Sequence, residues 1–181
     1  VDYLNHIPVG ALNSTFGINN APAEAPLKVS TLGYISGRVF LDNQSVPNGV
    51  YIAGSSTPIS GNAIQLRSGA NCAGALLDTR VTDSGGNYLF SDLPAGTYSV
   101  CQPTQPPQTR NSFPRAGTIV PYAGSTGTPG TGFNPVLGVP TSQITAIVLN
   151  NNGNANEVSG SPDNNFSEVL PISIAGNVYY D

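Results

Sequence analysis

Thr82-Asp83-Ser84-Gly85-Gly86-Asn87-Tyr88-Leu89-Phe90-Ser91-Asp92-Leu93-Pro94-Ala95-Gly96-Thr97-Tyr98-Ser99-Val100 is the stretch that decides how this chain folds. Tyr88 and Phe90 flank Leu89, and Tyr98 and Val100 flank Ser99, so each run places its large side chains on one face of a short strand. Gly85 and Gly86 permit the positive φ of a tight reversal, and residues 76–90 are predicted to form a hairpin turning at Asp83-Ser84-Gly85-Gly86-Asn87. Leu93-Pro94-Ala95-Gly96 makes the next turn, and the face carrying Tyr98 and Val100 is predicted to be core.

Working outward, strands are predicted at 34–41, at 63–67, where Ile64 and Leu66 alternate with polar neighbours, at 144–149 and at 165–170. The segment 102–140 is rich in Pro, Gly and Thr, so its strands should be short or at sheet edges, and 118–122 is the best candidate among them. Residues 150–160 read as a polar turn region. With 21 Gly, 16 Pro and no Met, the chain has little capacity for helix. Short strands joined by many turns indicate an all-β sandwich of about seven strands.

One internal signal sets the organisation. Ile35-Ser36-Gly37-Arg38-Val39-Phe40-Leu41-Asp42 reappears as Ile174-Ala175-Gly176-Asn177-Val178-Tyr179-Tyr180-Asp181, 139 positions later. Such a period is too long for a solenoid and suits autonomous domains joined end to end. The expected division is an N-terminal arm or end of a preceding unit at 1–32, a sandwich at 33–171, and at 172–181 the first strand of a following unit or an exchanged strand. Ile174, Val178 and Tyr179 would be the contacts of that assembly strand. The start at Val1 is read as that of a piece of something longer.

Composition excludes several functions. A net charge of −4 and a pI near 4.6, without any basic run, oppose binding to nucleic acid or to anionic lipid. No stretch approaches the roughly 20 consecutive apolar residues that span a bilayer, so membrane insertion is not expected. A nucleophilic triad would require His6, the sole histidine, which lies outside the predicted sandwich, and no G-x-S-x-G elbow occurs. The ten carboxylates are scattered without a close acidic pair, so no enzyme is expected. Cys72 and Cys101 lie in no metal-ligand spacing; they read as a disulfide formed in an oxidising compartment, with two independent buried thiols as the alternative.

The opening stretch resembles the T-D-x-G-x-Y-x-F-x-x-L-x-x-G-x-Y-x-V hallmark of collagen-adhesin B-type and other transthyretin-like domains, with one extra residue in its glycine turn. Asp83, Gly86, Tyr88, Phe90, Leu93, Gly96 and Tyr98 occupy the hallmark positions. Together with 35–42 and Asn165-Phe166-Ser167-Glu168-Val169, it is similar to the SdrD B-like type in particular. The resemblance covers about 35–170. It implies a Greek-key sandwich used as a stalk or spacer, often in tandem, in secreted or wall-associated bacterial proteins. Neighbouring copies or tandem repeats of the same protein are then the expected partners, and the location is extracellular or cell-surface.

Relatives often bind calcium in an acidic loop after the first strand. Here that loop reads Asp42-Asn43-Gln44-Ser45-Val46-Pro47-Asn48-Gly49, and only Asp42 survives of the acidic set, so it is either a calcium ligand or a turn-forming side chain. Some B-type domains carry a Lys to Asn isopeptide bond promoted by a buried acid. The one lysine, Lys28, precedes the first strand and departs from that pattern, so no cofactor and no such bond are expected. Tyr3, Tyr51, Tyr122 and Phe133 could line a sugar-binding face. Two functions follow: a structural repeat of a surface fibre, filament or adhesin stalk, and an adhesive or carbohydrate-binding module recognising an external ligand.

Overall fold

The structure is a computed structural model that describes residues 32–134 and 142–171. These residues hold eleven strands: β1 (Gly33–Leu41), β2 (Thr57–Pro58), β3 (Ala63–Ser68), β4 (Leu76–Val81), β5 (Asn87–Leu93), β6 (Gly96–Gln102), β7 (Arg110–Arg115), β8 (Gly127–Thr128), β9 (Thr131–Phe133), β10 (Ser142–Leu149) and β11 (Asn165–Val169). The number exceeds the expected seven or so because β2, β8 and β9 are only two or three residues long.

The strands form two sheets, packed as a sandwich. One has the order β2-β1-β11-β7 with β5 also on β1, and the other the order β4-β3-β6-β10-β8 with β9 also on β10. Period two explains the core between them. Ile35 and Val39 of β1, Tyr88 and Phe90 of β5 and Phe166 of β11 face Ile64, Leu66, Tyr98, Val100, Ile144, Ile147 and Leu149 of the second sheet. Fully burying each such side chain is worth about 1.5–3 kcal/mol, so this layer outweighs any single turn or cap. Ile144 and Ile147 are an odd number of residues apart, yet both are fully buried. A register shift lies between them, with Ala146 at φ 58°, and this bulge returns both side chains to the same face.

The expected hairpin at 76–90 does not form. β4 pairs with β3, while β5 pairs with β1, so 82–86 carries the chain from one sheet to the other. The corner is pinned at Thr82, whose amide donates to Asn62 O (3.0 Å) and whose hydroxyl donates to Ile59 O (2.8 Å). The glycine turn then docks on β1: Val39 N donates to Gly86 O at 2.9 Å. A Cβ on Gly86, at φ +74°, would sit 2.3 Å from Val39 O, so only glycine fits. Gly86 takes the positive φ expected of the turn, whereas Gly85 does not, and Phe90 reaches the core only from the sheet opposite β3 and β6; that burial decides the pairing.

Nor is 118–122 a strand; only Val120 bridges, to Gly160. The chain instead forms β7, which contains Pro114. In its sheet β7 is the last strand, so the missing N–H of Pro114 costs no ladder hydrogen bond.

Candidate functional site

Three polar constellations and one covalent link stand out from the apolar sandwich. Cys72, in the loop after β3, is bonded to Cys101 of β6, with Cα atoms 6.0 Å apart. The link ties the β3–β4 connection to a strand at the centre of its sheet.

The hallmark residues build the frame. The Asp83 carboxylate accepts from Gly85 N (2.8 Å), Asn87 N (2.8 Å) and Asn87 Nδ2 (3.0 Å), and these bonds hold its pKa below the usual carboxylate range. Tyr88 donates its hydroxyl to Asn164 O, so the aromatic core of β5 is locked to the segment leading into β11. Tyr98 donates to Pro94 O at 2.8 Å, closing the turn that Leu93 and Gly96 bound. Burial pushes both phenols up, Tyr88 the further.

Asp42 ends β1. Its carboxylate accepts from the backbone amides of Asn48 (2.8 Å), Gly49 (3.0 Å) and Gln44 (3.3 Å), so it folds the following loop back over Phe40. Phe40 points away from the main core yet is fully buried, with Tyr51 of that loop edge-on at 5.3 Å. The carboxylate thus faces N–H donors, and among the described residues no group of three or more His, Cys, Asp or Glu is placed to hold a metal ion. Tyr51 is not a free platform for sugar either: the Arg38 guanidinium lies over its ring, 3.9 Å from the centroid. Tyr122 and Phe133 are about half exposed; Tyr3 lies outside the described residues, as do Ile174, Val178 and Tyr179.

Glu168 of β11 is fully buried. It accepts from Gln102 Nε2 at 2.8 Å and from Gln105 Nε2, and Gln102 also donates to Asn62 Oδ1 (3.1 Å). Burial raises its pKa from 4.5 to about 7, against the opposing hydrogen bonds from Gln102, Gln105 and Thr109. No motif marks this group in the sequence, although alternation carries a signal for it. Glu168 is two residues from Phe166, and Gln102 two from Val100, so period two sets both on core faces.

A cleft of about 760 Å³ opens on the side of the β5-β1-β11 sheet that faces away from the core. Ser36, Arg38 and Leu89, which alternate with core residues, lie on its floor, and Arg80 and Arg115 on its walls. Three of the chain's five arginines therefore meet in one place.

A family model described as the SdrD B-like domain matches residues 33–131, more than half of the chain. No curated protein matches it. The matched segment ends before β10 and β11, yet β10 pairs with β6 and β11 with β1, so the folded sandwich includes strands beyond the match.

Proposed function

The chain belongs to the SdrD B-like domain family, and from that premise we propose that it is a repeating structural unit of a bacterial surface fibre, filament or adhesin stalk. Domains of this family are non-catalytic structural modules characteristic of bacterial cell-surface proteins, which gives the class of role and an extracellular or cell-surface setting. The observation that carries the finer reading is the return of the β1 motif at 174–181, which lets one unit hand the chain to the next at a period of 139 residues. In this reading 33–171 is one unit, 1–32 belongs to an arm or to a preceding unit, and Greek-key connectivity is supported by the repeated crossing of the chain between sheets. The cystine supports service outside the reducing cytosol. Partners are neighbouring units of the same kind, joined along one polypeptide or by addition of an end strand to a neighbour's sheet.

The test uses the whole chain, the chain trimmed of residues 1–30 and 172–181, and a two-unit chain in which residues 43–181 follow residue 181. Light scattering and electron microscopy separate the two modes of joining. Filaments that vanish on trimming establish strand exchange; a monomer throughout, with an elongated two-unit particle in small-angle scattering, establishes the covalent stalk. A monomer whose two-unit chain collapses or tumbles as independent beads overturns the structural reading.

A further inference from the structure

We propose that β4 is a docking edge for the β4 of a second copy of this chain, so that two sandwiches lie side by side with their larger sheets joined into one. This lateral contact is separate from the joining of units end to end along a fibre. β4 stands at the end of its sheet and pairs only with β3 among the described residues. Leu76, Leu77 and Val81 are half to nearly two-thirds exposed, so this edge carries apolar side chains where edges that avoid pairing carry lysine or proline. The other long strands at sheet ends are better guarded: β7 contains Pro114, and β5 is interrupted by Asp92 at φ 60°.

The inner ladder fixes which backbone groups of β4 point outward. Thr82 N donates to Asn62 O at 3.0 Å, which turns the backbone of Arg80 and Asp78 toward β3 and that of Thr79 and Val81 away from it. Thr79 N accordingly donates to the carboxylate of its own neighbour, Asp78 Oδ1, at 2.7 Å. Two antiparallel copies of β4 can exchange hydrogen bonds only where outward residues oppose outward residues. Among such registers, the one centred on Asp78 sets two aspartates against each other and the one centred on Arg80 two arginines, and like charges directly opposite are destabilising. The register centred on Thr79 instead sets Thr79 against the second copy's Thr79, Asp78 against its Arg80 and Val81 against its Leu77. Residues 77–81 therefore read apolar, acidic, threonine, basic, apolar in both directions, which is the self-complementarity that a two-fold interface needs.

Within one copy Arg80 and Asp78 bond to each other at 2.9 Å, with side chains 52% and 39% exposed, so both charges are within reach of a neighbour. Pairing exchanges that contact for two cross-strand ion pairs, and Thr79 N moves from the Asp78 carboxylate to a backbone carbonyl. A register shift with β3 between Leu66 and Arg67 bounds the regular edge at Leu77. One short strand is much less than a standard interface, so the contact is weak for a free chain at ordinary dilution and is strengthened where units are held close together.

Sedimentation equilibrium of the disulfide-intact full chain, from micromolar to millimolar concentration, should show reversible dimerisation, with amide exchange slowing at Thr79 and Val81 as dimer accumulates. Asp78→Arg opposes arginine to arginine and Arg80→Asp opposes aspartate to aspartate, so each variant alone should self-associate about tenfold more weakly or worse. An equimolar mixture of the two restores every opposite pair and should recover association to within about threefold of wild type. General attraction cannot produce that recovery, because both variants remain net negative in a chain of charge −4. Thr79→Pro, whose missing N–H lies on the outward side, should abolish dimerisation and keep the fold. Thermal melts establish that each variant is folded, and the charge exchange keeps the test open if the proline variant is not.

A wild type that stays monomeric at millimolar concentration overturns the proposal, and so do single variants that associate like wild type or a mixture that fails to recover. Association lost on trimming residues 1–30 and 172–181 assigns the contact to those segments and overturns it too. A stiff two-unit particle whose β4 variants change nothing sinks this inference alone, whereas a two-unit chain that collapses while β4 pairing persists sinks the fibre reading instead.

Discussion

Glu168 should make this sandwich less stable as the pH rises from acid to neutral. In the folded chain its carboxyl is fully buried and protonates near pH 7, whereas its ordinary value is 4.5. The folded state therefore holds the proton more tightly than the unfolded state, and unfolding releases it between those two pH values. The stability that the neutral carboxyl confers is complete below about pH 4.5 and is lost as the pH climbs through about 7. A gap of about 2.5 pH units, at about 1.4 kcal/mol each, amounts to about 3 kcal/mol. For a domain of this size that is a fall in melting temperature of roughly 6–12 °C. Urea unfolding of the disulfide-intact chain at steps from pH 4 to pH 8.5, beside Glu168→Gln, isolates the effect, because the variant has no proton to release at this site. The wild-type stability minus that of the variant should decline by about 3 kcal/mol across the window. The depressed pKa of Asp83 works with the opposite sign and below pH 3.8, so it cannot mimic the decline. A difference curve that is flat or rises between pH 4.5 and 7 refutes the assignment of Glu168 as a buried, proton-holding acid.

Replacing Cys72 and Cys101 together by Ser should cost about 3.5 kcal/mol, the chain entropy of opening a loop of this length, read as a lower urea midpoint with the native strand content kept below it. Gly37→Ala should cost more than about 3 kcal/mol or prevent folding, because its Cβ would lie 1.7 Å from Asn164 O, where two backbone segments touch; loss of near-ultraviolet dichroism reports it. Asp42→Ala removes the acceptor of three loop amides and should cost about 2 kcal/mol, with hydrogen exchange accelerated first at Asn48 and Gly49. Adding calcium to the wild type should leave those amides and the melting temperature unchanged, because the Asp42 oxygens already face N–H donors.

What was legible in the sequence is what depends on nearest neighbours. Alternation found the core faces of 34–41, 63–67, 88–90 and 97–101, since a side chain two residues along points the same way whatever lies opposite. The Asp83 turn was legible for a similar reason: an aspartate can cap amides two and four residues ahead without help from the rest of the chain. Strand partners were not, because pairing depends on which sheet can bury Phe90 and Tyr88, and no local pattern carries that information.

The same reasoning explains why the sites were harder to see than the fold. Arg38 and Asn87 are 49 residues apart, and Gln102 and Glu168 are 66 apart. Neither pair has a spacing that a motif could encode, and Arg38 alone reads as an ordinary outward charge on β1. Each becomes informative only after the crossing at 82–86 sets β5 beside β1 and the parallel return of β11 sets Glu168 against β1 and near the end of β6. The crossing was misread as a hairpin, and a hairpin would have put Asn87 beside β4, out of reach of Arg38. Long-range pairing therefore decides whether the chain has an immobilised arginine at all. Asn87→Ala accordingly tests the topology and the site together: it should free the Arg38 Nε without disturbing Tyr88 or Phe90, and faster hydrogen exchange at that Nε with an unchanged core spectrum is the outcome the arrangement requires.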